Sequence, residues 1–108
     1  MRLTPYFSLD EFDCHDGNQV PKEYIANVEH LVVKVLQPLR ELWGPLIVVS
    51  GWRSQDWNTR VGGAKASTHL TGEGADVRPV RLRDVPEFLA LIEARLKAAA
   101  GKLPIRVP

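Results

Sequence analysis

Residues 67–76 read STHLTGEGAD, and this short stretch decides how the rest of the sequence is interpreted. A histidine, His69, and an aspartate, Asp76, bracket a glycine-rich turn that leads into an apolar segment. Glycines at this turn let the backbone fold back, so that the imidazole and the carboxylate can converge on one metal ion. Spacing alone does not establish such a site, because a histidine and an aspartate in a loop are more often ordinary surface residues.

Short strands are predicted on both sides of this turn. Residues 46–50 are apolar and rich in valine, which predicts a buried strand. Residues 75–80 alternate in polarity and predict a second strand, and Pro79 places that strand near an end or an edge of its sheet. Between the two strands, Ser54 can cap a short helix that runs to about Arg60.

Helical periodicity occupies much of the remaining sequence. Apolar residues at three- and four-residue steps predict the main core helix over residues 21–43, with a kink near Gln37 because Pro38 removes a backbone donor. The Ser-x-x-Glu spacing at residues 8–11 predicts a short helix through a capping box. A last helix is predicted from Asp84 to Gly101, with these apolar positions: Val85, Phe88, Leu89, Ile92 and Leu96. This order of elements predicts an α+β domain.

Composition limits the classes of protein to which the chain can belong. Its 108 residues, of which 44% are hydrophobic, fit a single domain over residues 1–108. Fourteen basic and 13 acidic residues give a net charge of +1, so no broad electrostatic attraction to nucleic acid is expected. No apolar run has the length of a signal peptide or a membrane span. The lone cysteine, Cys14, excludes an internal disulfide and fits synthesis in the cytosol.

Several motifs follow one another in a fixed order: SGWRS at 50–54, Asn58, VGG at 61–63 and STHLTGEGAD at 67–76. Together they resemble the zinc D-Ala-D-Ala carboxypeptidase family of peptidoglycan metallopeptidases. The signature of that family is Ser-x-His-x-x-Gly-x-Ala-x-Asp after a Ser-Gly-Tyr-Arg-Ser turn. The chain departs from it at Trp52, which replaces the tyrosine, and at Gly74, which replaces the alanine. The resemblance implies a hedgehog-like α+β fold, with a small antiparallel sheet packed against helices.

The resemblance also assigns roles to individual residues. It implies Zn²⁺ as the cofactor, with His69 and Asp76 as metal ligands and Arg53 as the catalytic cation that holds the substrate or the oxyanion. A fixed guanidinium suits both the carboxylate of a terminal D-Ala and the charge that develops during hydrolysis. Ser67 is a candidate substrate-binding residue, although a loop serine that bonds only to nearby backbone explains it equally well. The implied reaction is zinc-dependent hydrolysis of peptidoglycan stem peptides, by a carboxypeptidase or an endolysin-type endopeptidase that acts as a monomer.

One expected metal ligand is not found. A catalytic zinc site has three protein ligands, and the resemblance implies a third ligand, a histidine, on a strand near the C-terminus. No histidine follows His69, and the two others, His15 and His30, match no family position. Either the sequence lacks its C-terminal strand or strands, which we favour because residues 103–108 resume an extended pattern, or the protein is shortened and has lost hydrolysis. We therefore expect the 108 residues alone to be inactive.

Two other classes of function remain open. A non-catalytic module could keep the fold and use its cleft to bind cell-wall peptide or a protein partner. A structural component of a phage particle would need no cleft and no zinc. Since we expect no secretion signal, the peptidase interpretation requires cytoplasmic synthesis followed by action at the bacterial cell wall, by a route such as phage lysis machinery.

Overall fold

A three-stranded sheet organises the chain in a computed structural model, which describes residues 1–99 and 103–108. Strands β1 (Leu46–Ser50) and β2 (Ala75–Pro79) pair antiparallel, as predicted, and Pro79 is the last residue of its strand. A third strand, β3 (Ile105–Arg106), adds to β2 in parallel, which gives the order β1-β2-β3. The α+β class is confirmed, and the sheet is mixed because its third strand is parallel.

The predicted core helix is present, and it is irregular where the sequence requires it. It consists of α1 (Lys22–Leu31), a π-helical turn (Val32–Leu36) and α2 (Gln37–Trp43). Proline has no N–H to donate, and the ring of Pro38 would collide with the carbonyl of Lys34 in a regular α-helix. The wider turn directly before Pro38 accommodates the ring, so the predicted interruption takes the form of a π-turn.

The shorter elements also match their sequence signals. Helix α3 (Gln55–Arg60) begins at Ser54, whose hydroxyl accepts a hydrogen bond from the backbone N–H of Trp57. The last helix, α4, spans Val85–Ala99, and its predicted end at Gly101 lies outside the described residues. Three short 3₁₀ helices complete the chain: Leu9–Phe12, Thr68–Thr71 and Leu82–Asp84. No helix in the described ranges is long and apolar enough to cross a membrane.

One hydrophobic core lies between the sheet and the long helices. Phe88 and Ile92 of α4 are buried, and the Phe88 ring contacts the edge of Trp43 with 5.2 Å between ring centroids. Val77 in the middle of β2 is completely buried. The predicted stripe on α4 is wrong at Leu89, which is 40% exposed because the helix buries only a narrow face against the sheet.

The strand pairing places one residue at the centre of the functional region. In the β1–β2 ladder Asp76 is the partner of Ser50, and in the β2–β3 ladder it is the partner of Arg106. The connection over residues 51–74 leaves the end of β1 and returns to the start of β2. Both halves of this connection therefore lie close to Asp76.

Replacing Phe88 with alanine should destabilise the fold by about 3–5 kcal/mol, because it leaves a cavity beneath α4 and removes the contact with Trp43. Leu89→Ala, one position along the same helix, should cost less than about 1 kcal/mol because Leu89 is largely exposed. Urea unfolding followed by circular dichroism measures both values. Equal losses for the two variants would contradict the packing described for α4.

Candidate metal centre

His69 is held by the backbone of the preceding turn. It is buried in the 3₁₀ helix Thr68–Thr71, and its Nδ1 lies 2.7 Å from the carbonyl oxygen of Gly51. A carbonyl oxygen only accepts hydrogen bonds, so Nδ1 carries a hydrogen. The backbone N–H of Arg53 in turn donates to the carbonyl of His69 at 2.9 Å. These two bonds tie the turn at residues 50–54 to the turn at 67–76.

The other ring nitrogen of His69 faces Asp76. The distance from Nε2 to Oδ1 of Asp76 is 3.2 Å, and both side chains are almost entirely buried. Burial raises the pKa of Asp76, but the hydrogen bond with His69 and the positive charges around it outweigh burial, so the pKa lies below its usual value. The carboxylate is therefore the charged form at neutral pH.

The contact between Nε2 of His69 and Oδ1 of Asp76 is favourable only with a positive charge between them. With Nδ1 already carrying a hydrogen, a neutral ring presents the lone pair of Nε2 to the carboxylate, and two acceptors at this distance repel each other. Either a second proton on His69 or a metal ion relieves that repulsion. A neutral imidazole that donates its other N–H to a carbonyl is the usual arrangement of a zinc-bound histidine. The chemistry of His69 and Asp76 therefore fits zinc, as the sequence predicts.

Arg53 lies on the opposite side of Asp76. Its Nη2 donates to Oδ2 of Asp76, its Nη1 to Asn58 and its Nε to Ser50, each at 3.3 Å. These distances are long for hydrogen bonds of a charged group. The guanidinium is thus centred among three acceptors rather than locked to Asp76. The sequence predicts this position beside the site, and the role of Arg53 toward a substrate stays a prediction.

Asn58 supports the site in a way that the sequence did not reveal. Its side chain is buried, accepts from Arg53, and donates through Nδ2 to the carbonyl of Ala64 at 2.9 Å. Its own carbonyl accepts from the backbone N–H of Gly63 at 2.8 Å. Asn58 therefore fixes both the arginine and the loop after α3. The sequence pattern includes Asn58, but only the folded chain shows the two partners of its side chain, Arg53 and Ala64.

Gly72 and Gly74 are each needed in this turn, for different physical reasons. Gly72 has φ +75, the left-handed conformation that favours glycine, which confirms the predicted turn. Gly74 needs no such conformation; instead, a Cβ added there would lie 2.1 Å from Oγ1 of Thr68. The glycine that replaces the alanine of the signature at position 74 thus leaves room for the side chain of Thr68.

Ser67 and the tryptophans have structural contacts of their own. The Ser67 hydroxyl accepts a hydrogen bond from the backbone N–H of His69 at 3.2 Å, which caps the 3₁₀ helix that presents His69. Ser67 also lines the neighbouring pocket, and its contact with a substrate stays a prediction. Trp52 is buried and donates to the carbonyl of Leu70, and Trp57 packs against His15.

A pocket of about 520 Å³ opens over His69 and Asp76. It is lined by residues 62–64, 67–69, 75–76 and 103–106 together with Arg53. Arg106 of β3, which was not assigned a role from the sequence, thus belongs to the same wall as Asp76. Its position follows from the parallel pairing of β3 with β2. A strand of only two residues gives no sequence pattern that would predict this pairing.

The described residues bring together two candidate metal ligands here, His69 and Asp76. Across 1–99 and 103–108, no group of three or more His, Cys, Asp or Glu side chains is arranged to hold a metal ion. Nε2 of His15 donates to the carbonyl oxygen of Val49 in β1, at 2.6 Å. His30 lies on α1 and lines a second pocket. Neither histidine contacts His69.

Comparison with known proteins gives one match. A family model described as Peptidase M15 matches residues 5–102, which is nearly the whole chain and includes both turns of the site. No curated protein and no solved structure matches the chain.

Gly74→Ala should destabilise the protein by about 1–3 kcal/mol, because the added Cβ overlaps the side chain of Thr68. Thr68→Ala, which removes the nearest overlapping atom, should be nearly neutral alone and should restore part of the loss in the double variant, because Cβ of residue 68 still lies 2.9 Å from the added Cβ. Thermal or urea unfolding of the four proteins measures this coupling. Additive effects of the two substitutions would show that the side chain of Thr68 does not limit position 74.

Proposed function

The chain belongs to the peptidase M15 family, and we propose that it takes part in zinc-dependent hydrolysis of peptidoglycan stem peptides, with His69 and Asp76 as zinc ligands. The family suggests metallopeptidase activity on peptidoglycan. The observation that supports the zinc assignment is the geometry of His69, whose Nδ1 is committed to the Gly51 carbonyl while Nε2 faces a carboxylate. That arrangement leaves one imidazole lone pair and one carboxylate oxygen for a single cation.

The chain's own residues prepare this site for zinc and for a peptide. Zinc, when bound, supplies a water of lowered pKa and polarises the carbonyl of the peptide bond. Gly51 fixes the orientation of His69, and burial of Asp76 keeps bulk water away from the carboxylate. Arg53, only 15% exposed at its side chain, holds a fixed positive charge beside the place where negative charge would develop on a carbonyl oxygen.

A second candidate, a metal-free peptide-binding module, is favoured by one observation. The guanidinium of Arg53 already lies 3.3 Å from Asp76, so the carboxylate has a cationic partner without a metal. In this case His69 would carry the second proton and form an ion pair with Asp76. The cleft would then bind a peptide through its fixed charges, and no bond would be cut.

Zinc titration by calorimetry tests the zinc assignment. His69→Ala and Asp76→Asn should each lower the zinc affinity by more than about 100-fold, since altering only a supporting group already changes metal affinity by about 10- to 100-fold. His30→Ala is the matched control, because His30 lies on α1, lines a second pocket, and forms no ion pair with Asp76 among the described residues; it should leave the affinity unchanged. Zinc binding that survives both substitutions would contradict the assigned ligands.

Turnover separates the two candidates. A stem peptide ending in D-Ala-D-Ala is incubated with the protein, with and without zinc, and D-Ala release and peptide binding are measured together. Zinc-dependent release that disappears in His69→Ala supports the peptidase. Because we expect little turnover from a site with two protein ligands, the effect of zinc on peptide binding decides when no D-Ala is released. Binding that zinc strengthens supports the peptidase, and binding that zinc leaves unchanged supports the module.

A further inference from the structure

Arg106 occupies a position beside the metal-binding pair that no part of the proposed reaction uses. It is the register partner of Asp76 across β2 and β3, and paired residues of neighbouring strands place their side chains on the same face of a sheet. Arg106 also lines the pocket over His69 and is exposed to solvent. Its charge is close enough to contribute to the lowered pKa of Asp76.

The carboxylate of Asp76 does not neutralise Arg106. One oxygen of Asp76 lies against His69 and the other accepts from Arg53, so both oxygens are already engaged. Within the part of the chain that the structure describes, Arg106 forms no ion pair. Two arginines, Arg53 and Arg106, therefore line a pocket that contains one carboxylate, Asp76, and the charge of the exposed Arg106 is not balanced by it.

The surroundings of Arg106 indicate which anion fits. Leu103, Pro104 and Ile105 line the same pocket immediately before Arg106, and Ala64 and Ala75 also line it. A ligand group that suits this wall has a small apolar side chain next to a negative charge. Arginine presents its N–H groups as a fork that matches the two oxygens of a carboxylate. A peptide whose last residue is small and ends in a free carboxylate has this chemistry.

We propose that Arg106 recognises the free α-carboxylate of the bound peptide, so that the pocket selects peptide ends over internal peptide segments. This inference rests on the proposed function, because it takes the ligand to be a peptidoglycan peptide. Arg53 and Arg106 then have different tasks. Arg53 is held by Ser50, Asn58 and Asp76, whereas Arg106 has no acidic partner within residues 1–99 and 103–108 and can bind the ligand.

The test compares two synthetic stem peptides, one ending in D-Ala-D-Ala with a free carboxylate and the other ending in the corresponding amide. Binding is measured by fluorescence anisotropy with N-terminally labelled peptides, and mass spectrometry confirms that the peptides stay intact. The acid should bind about tenfold more tightly than the amide, the size expected for one hydrogen-bonded charge. Raising the ionic strength to 1 M should shrink that ratio, because Arg106 is exposed and the screening length falls to about 3 Å.

Substitutions at position 106 test whether Arg106 causes the preference for the acid over the amide. Arg106→Gln should bring the ratio of acid to amide affinity close to one, while the amide binds as it does to the unmodified protein. Arg106→Lys keeps the charge without the fork and should retain part of the ratio. Arg83→Gln is the matched control, since Arg83 is an exposed arginine on the 3₁₀ helix Leu82–Asp84 and should leave the ratio unchanged.

The outcomes separate this inference from the proposed function. Equal binding of acid and amide to the unmodified protein overturns the role of Arg106 and leaves the peptidoglycan ligand in place. A preference for the acid that survives Arg106→Gln also overturns it. Failure of both peptides to bind at millimolar concentration overturns the inference together with the peptidoglycan ligand on which it rests.

Discussion

The hydrogen bond from Nδ1 of His69 to the carbonyl of Gly51 is the contact on which the site depends. It joins two turns that are distant in sequence and orients the ring so that Nε2 points at Asp76. The reverse contact, from the backbone N–H of Arg53 to the carbonyl of His69, makes the junction rigid. Because a carbonyl accepts only, this junction also fixes the hydrogen on Nδ1 and leaves Nε2 facing Asp76, which the strand ladder holds in place.

The strand ladder brings the remaining charges to the same place. Asp76 lies between Ser50 on one neighbouring strand and Arg106 on the other. Antiparallel pairing explains why the turn after β1 reaches the start of β2, and parallel addition of β3 explains the second arginine. The pocket is therefore a meeting point of three strands, in which a buried carboxylate is balanced by His69 and Arg53 and an exposed arginine remains for a ligand.

Local signals in the sequence predict much of the fold. Periodicity predicts the long helix, a valine-rich segment predicts β1, alternating polarity predicts β2, and Pro38 locates the irregular turn. Each signal depends on neighbours within a few residues. The motif at residues 67–76 identifies the pair His69 and Asp76. The sequence does not predict the roles of Arg106 and Asn58. Their partners lie on strands and loops that meet only after folding, and β3 is too short to give a periodic signal.

The central claim is that a single cation lies between Nε2 of His69 and Asp76, and that zinc can be that cation. Nitrogen-15 NMR of the imidazole side chains, recorded during zinc addition, observes this atom directly. The account predicts that Nδ1 of His69 stays protonated throughout, while the Nε2 signal moves to the position of a metal-bound nitrogen. Loss of the Nδ1 proton on zinc addition, or no change at His69 when zinc is in excess, would contradict it.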